Sequence, residues 1–129
     1  MKFNKIFIIL ILIILTPQIS NADFNWKKIG KNVSGSVFFV DKSSIKRKSD
    51  TVFFYLLVDY AKPSDNVLSV KTYIEGNCNK SIFRFLKDMY YDEPMGNGRV
   101  IETINETGDW DNYNQTQIMG KIMKYICKY

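Results

Sequence analysis

Apolar and polar residues alternate along most of this chain, and its last sixteen residues change to a four-residue spacing. Alternation with period two marks strands with one face buried, whereas a spacing near 3.6 marks a helix with one apolar stripe. Residues 24–29, centred on Trp26, predict a first strand. Gly30, Asn32, Ser34 and Gly35 predict a turn, and residues 36–41 a second strand. Residues 42–50 read as a polar connection holding one apolar peg, Ile45. Next, Val52-Phe53-Phe54-Tyr55-Leu56-Leu57-Val58 is apolar on both faces, as a central strand covered from two sides would be. Its β-branched and aromatic content and the nearby Pro63 favour strand over buried helix.

Pro63-Ser64-Asp65-Asn66 predicts a turn into residues 67–75, where Leu68, Val70 and Ile74 alternate with Ser69, Lys71 and Glu75. Residues 80–91 alternate again. Phe83, Phe85, Met89 and Tyr91 are expected on one face, with Arg84, Asp88 and Tyr90 on the other. Asn97-Gly98 predicts a type I′ hairpin turn, which needs positive φ at both central positions, into a strand over residues 99–105. From Asn114 onward, Ile118, Ile122 and Ile126 fall four apart, as do Met119, Met123 and Cys127, and predict a C-terminal helix. Asn114 and Gln117 resemble a capping box, and Lys121, Lys124 and Lys128 suit the negative end of the helix dipole. Gly120 costs such a helix about 1 kcal/mol relative to Ala. The expected fold is therefore α+β: an antiparallel β-sheet of about five to six strands with the helix packed on one face.

The first residues do not belong to this pattern. Lys2 and Lys5 precede an unbroken apolar run over residues 6–15, and Ser20-Asn21-Ala22 places small residues where a signal peptidase cuts. A spanning helix needs about twenty apolar residues. The expectation is a signal peptide over residues 1–22 and one exported domain over residues 23–129, with no transmembrane segment. No cysteine follows the cut to carry a lipid anchor, so the product is expected to be periplasmic, secreted or associated with the cell surface. In an oxidising compartment Cys78 and Cys127, the only two cysteines, are able to pair. A bridge would tie the last helical turn to a strand end; two free thiols are the alternative.

Charge and chemistry narrow the function mainly by exclusion. Eighteen basic and thirteen acidic residues give a net charge of +5, of which Lys2 and Lys5 belong to the leader. The balance left is too mild to point to nucleic acid. The absence of histidine removes imidazole acid–base catalysis, histidine-activated nucleophiles and most zinc sites. Asp92-Glu93 and the Asp109/Asp111 pair flank turns, and Ser43-Ser44 has no base to activate it. No enzyme activity, metal or cofactor is expected. What remains are surfaces. Lys42, Lys46, Arg47 and Lys48 would meet an anionic partner or form a solvated loop. Phe83, Phe85, Tyr90 and Tyr91 would form a platform, unless Phe83 and Phe85 belong to the core. The residues put forward for partner binding are Lys46, Arg47, Lys48, Arg84 and Tyr90, with Trp26 and Trp110 as structural anchors.

Trp26, Ser36-Val37-Phe38-Phe39-Val40-Asp41, Ser44-Ile45 and Val58-Asp59-Tyr60 open a familiar order of residues. Ser69-Val70-Lys71, Asn77-Cys78, Arg84, Tyr90-Tyr91, Met95-Gly96-Asn97-Gly98, Trp110 and Cys127 complete it. This order resembles the surface-adhesin protein E family of small exported bacterial proteins across nearly all of the predicted domain. The resemblance implies an antiparallel sheet with a bridged C-terminal helix. It also implies adhesion to host matrix proteins such as vitronectin and laminin, with haem binding in the family. In a chain without histidine a haem ligand would have to be Tyr or Met. The reading that follows is an exported, non-enzymatic, adhesin-like interaction module whose partner meets a sheet edge or the face opposite the helix. The strand apolar on both faces suggests a homodimer. The alternatives are a periplasmic structural or stress-related protein, or a carrier for a small apolar ligand held between helix and sheet.

Overall fold

The computed structural model describes residues 24–129, and the expected signal peptide lies outside the described residues. The described chain forms one antiparallel sheet of eight strands and a C-terminal helix. The strands are β1 (Trp26–Lys31), β2 (Val37–Asp41), β3 (Lys46–Lys48), β4 (Thr51–Ser64), β5 (Val67–Asn77), β6 (Ile82–Tyr91), β7 (Val100–Ile104) and β8 (Asp111–Asn112). Helix α1 spans Ile118–Lys128.

Three long strands, β4, β5 and β6, form the centre of the sheet, and each flank of this trio carries two short strands end to end. On one side β2 and β3 both pair with β4. Between them Lys42–Ser44 makes a 3-10 turn, and the Ser44 hydroxyl accepts the Tyr55 N–H at 2.9 Å where the ladder lapses. The turn is anchored by Asp41, which is 2% exposed. Its Oδ1 accepts from the Asn25 and Ser43 amides and the Ser43 hydroxyl. The segment read from sequence as a plain connection thus contains a strand, because Ile45 and Ser44 return it to the sheet. On the other side β7 and β8 both pair with β6, and the Gly108 N–H bridges the gap to the Phe85 carbonyl. Strand β1 lies outside β2, with a bulge between Lys28 and Gly30.

One predicted turn is narrower than expected and another is displaced. β4 runs through Pro63 to Ser64, and the turn is Asp65-Asn66, with φ of 50° and 63°. Pro63 lacks an N–H but lies where the β4–β5 ladder is interrupted, between Asp59 and Ser64. The β6–β7 hairpin forms as expected, but its left-handed pair is Met95-Gly96, with φ of 60° and 64°. The Asn97 amide closes that turn on the Pro94 carbonyl, while Asn97 itself is extended. Predicted and observed turns lie two residues apart.

A bulge decides which face each β6 side chain occupies. Tyr73 pairs with Lys87 but Ile74 pairs with Phe85, leaving Leu86 unpaired. An extra residue reverses the alternation beyond it. Phe83 and Phe85 therefore share a face with Asp88 and Tyr90, and Arg84 shares the other with Met89 and Tyr91. The expected grouping of Phe83 with Met89 and Tyr91 is wrong for this reason.

One face of the sheet holds the core. Val52, Phe54, Leu56 and Val58 of β4, with Val40 and Ile74, are buried beneath Ile122, Met123 and Ile126 of α1. The helix carries the predicted apolar face. Its expected capping box is not formed: Gln117 is the N-cap without a side-chain bond, and Asn114 Oδ1 accepts instead from the Thr116 amide and hydroxyl. At the other end Cys78 is bridged to Cys127 across 49 residues of sequence.

Candidate functional site on the face opposite the helix

Because β4 is apolar at consecutive positions, the residues between its core side chains emerge on the far face: Phe53, Tyr55 and Leu57. Their partners on β5 are Glu75, Tyr73 and Lys71. Leu57 is fully buried within the single chain. The second cover inferred from sequence is thus supplied there by the protein's own segments. Phe24, just before β1, stacks on Trp26 at 4.9 Å between centroids and meets Tyr55 edge-on at 5.9 Å. Tyr55 lies 4.7 Å from Tyr73, and Tyr73 lies 6.1 Å from Phe53. Four half-buried rings, Phe24, Tyr55, Tyr73 and Phe53, thus run in a chain of contacts across the face.

At one end of this row the β6–β7 loop folds back onto the sheet. The Ser69 hydroxyl donates to the Glu93 carbonyl at 2.6 Å and accepts the Gly96 amide at 2.9 Å. The Met95 amide donates to Asp59 Oδ1 at 2.6 Å. Gly96 is left-handed and lies against the Lys71 stem, where a Cβ would overlap Lys71 Cε. Lys71 is thereby enclosed: its ammonium sits 4.3 Å from the Phe24 ring centroid and 4.8 Å from that of Tyr91. Burial pushes the Lys71 pKa down, while the two π faces favour its charged form. The face therefore presents aromatic rings around one cation in a partly dry setting, a composition typical of the energetic centre of a protein interface.

The residues put forward from sequence do not gather into one site. Lys46 and Lys48 are exposed on β3, opposite Phe53 and Thr51, and flank the aromatic face. Arg47 turns to the other side: Nη1 donates to the Cys127 carbonyl at 2.7 Å and Nε to the Ser49 carbonyl at 3.1 Å. It thus satisfies a free carbonyl of the helix end. Arg84 lies on the aromatic face, paired with Glu75 at 2.7 Å and stacked 4.3 Å over Trp110. Tyr90 lies on the helix side. Phe83 is in the core, and Phe85 is 41% exposed. Sequence reading missed Phe24, Phe53, Tyr55, Lys71 and Tyr73. The run apolar on both faces was the available signal, but the register placing Tyr55 against Tyr73 was not. Among the described residues no group of three or more His, Cys, Asp or Glu side chains is placed to hold a metal ion.

A family profile described as surface-adhesin protein E matches residues 26–128. The chain belongs to the surface-adhesin protein E family. The family assignment spans both bridged cysteines and the entire aromatic face except Phe24. Solved structures of Haemophilus influenzae protein E share the fold. One, a selenomethionine form, is 20% identical with a TM-score of 0.62, covering 80% of this chain and 85% of that one. A second crystal form gives 0.60 at 20% identity, over 82% and 91% of the two chains. Protein E from a non-typeable H. influenzae strain gives 0.57 at 20% identity, over 83% and 79%. No curated protein matches the chain significantly. Family membership makes this an adhesin-type surface protein, and among the described residues no helix is long and apolar enough to cross a membrane.

The crowded phenols set an alkaline limit. Burial, the largest cause in each case, raises the pKa of Tyr60, Tyr73, Tyr90 and Tyr91 above the usual 10.0. A phenol that holds its proton longer when folded contributes stability that is complete below pH 10. That stability is lost as pH rises through the native pKa. Lys71 acts oppositely, adding stability between its lowered native pKa and 10.5, but it is one group against four. The denaturation midpoint should fall above pH 10, with tyrosinate absorbance appearing in step with unfolding. A midpoint that stays flat to pH 11.5 would contradict this account.

Proposed function

We propose that the protein is an exported, non-enzymatic binding module that engages a host extracellular-matrix protein through the aromatic face opposite the helix. The observation that carries this reading is the row Phe24, Tyr55, Tyr73 and Phe53 beside the enclosed Lys71. Rings that are half-buried and already mutually packed lose little entropy on docking and offer large contact areas. Lys46 and Lys48 at the rim favour an acidic partner and speed encounter more than they add affinity.

The test is binding of the purified, bridged protein to immobilised vitronectin and laminin. The double variant Phe53→Ser/Tyr73→Ser should bind at least tenfold more weakly, and Lys121→Glu on the opposite side should bind as wild type. Equal loss in both variants would count against the face; so would no binding by the wild type. Labelling of intact cells addresses location: a protein reached only after the envelope is opened would favour the periplasmic structural reading. A second copy of the chain competes for the same face. Light scattering across concentrations separates the two, since a dimer that dissociates in the double variant would assign the face to self-association.

A further inference from the structure

Helix α1 covers only part of its side of the sheet. Beside its first turn an open cleft of about 360 Å³ remains. Sheet register brings Phe38, Val58, Val70 and Tyr90 into one row across four strands, with Tyr60 alongside in the lining. The neighbouring row is Leu56, Thr72 and Asp88. Among the described residues Asp88 is the one charged residue lining the cleft. Thr72 Oγ1 donates to Asp88 Oδ1 at 2.7 Å. The ion pairs found among the described residues, Arg84–Glu75 and Arg99–Asp92, do not include Asp88. In a chain rich in lysine, this carboxylate faces an apolar, ring-walled space with no cation of the described residues paired to it. Asp88 lies close enough to both phenols to add to the rise in their pKa, after burial for Tyr90 and after burial and Tyr90 for Tyr60.

We propose that this cleft binds a small organic cation, an ammonium group on an apolar stem. The ammonium sits against the free edge of the Asp88 carboxylate and under the Tyr60 and Tyr90 rings, and the stem lies along Val58 and Val70. A carboxylate and aromatic faces together select a cation, each strengthened by partial exclusion of water. A neutral apolar ligand would cover the carboxylate without pairing it, which is costly, and an anion would be repelled. The volume lies in the range of small-molecule sites. The cleft is on the helix side of the sheet, away from the aromatic face, so this inference and the adhesion reading stand or fall separately.

Calorimetric titration of the bridged protein with hexyltrimethylammonium, hexanol and hexanoate tests it. Expected is binding of the cation at least tenfold tighter than hexanol, none of hexanoate, and shifts of the Tyr60 and Tyr90 ring resonances. Asp88→Asn, which keeps the bond from Thr72, should remove the preference for the cation without lowering the melting temperature by more than a few degrees. Equal affinity for cation and alcohol, no binding, or shifts confined to the opposite face would overturn the proposal. So would a folded Asp88→Asn protein that retains the preference. Should that variant fail to fold, the three-ligand comparison on the wild type decides alone.

Discussion

Cys127→Ala should destabilise the protein by about 4 kcal/mol, the cost in the chain-entropy model of opening a loop of 49 residues. For a domain of about this size that corresponds to a fall in melting temperature of about 15 °C or more. The loss has a definite location. Helix α1 has eleven residues, too few to be stable in water without tertiary contacts. Its last turn is held by the bridge and by Arg47 on the Cys127 carbonyl. With the bridge gone, Ile122, Met123 and Ile126 still favour docking, but the final turn frays. Circular dichroism melts of the wild type, of Cys127→Ala and of the wild type with reductant measure this directly. The last two should agree, and a melting temperature unchanged in both would show that the bridge is not a structural staple.

Gly120→Ala should also destabilise, by about 2 kcal/mol, although alanine is the better helix former by about 1 kcal/mol. Gly120 is buried in the first turn of α1, where the segment leading into the helix doubles back across it. A Cβ there would overlap the Asn114 carbonyl oxygen and come within 2.6 Å of Gln115 Cα. These are backbone atoms, so relief requires moving the chain and not merely a rotamer. Asn114 would lose its turn onto Thr116, and the Gln117 amide its bond to the Asn114 carbonyl. Chemical denaturation of the two proteins provides the comparison, and a variant as stable as wild type or more so would refute the close approach.

Gly120 also shows where sequence reading reaches its limit. The helix was legible because Ile118, Ile122 and Ile126 repeat within one segment, and period is a local property. The reason for its glycine was not, since the obstruction comes from a loop whose path depends on the finished fold. The same division holds in the sheet. Val52 to Val58 announced a central strand with two covered faces, and on the second face Phe24 and the β6–β7 loop, remote in sequence, lie against the sheet. Tyr90 was placed on the wrong face because one unpaired residue, Leu86, reverses everything after it, and its neighbours carry no glycine or proline to mark a bulge. Met95 took the left-handed position that Asn97 was expected to hold. The loop is fixed by Ser69 and Asp59, which are remote in sequence. Arg47 was chosen for its charge and proved to serve the helix end, because β3 pairs it with Val52 on the helix side.

The broken flanks of the sheet bear on how such a protein behaves when many copies lie close together. A long, straight rim of unpaired amides and carbonyls invites neighbouring chains to add strands. Here β1 is bulged and carries Lys27, Lys28 and Lys31, β3 is three basic residues long, and β7 has five residues before the path turns away. No incoming strand meets more than a short register of free groups on these rims. Crowding on an envelope can therefore raise local concentration without seeding fibres, and contact with other molecules is left to the two broad faces.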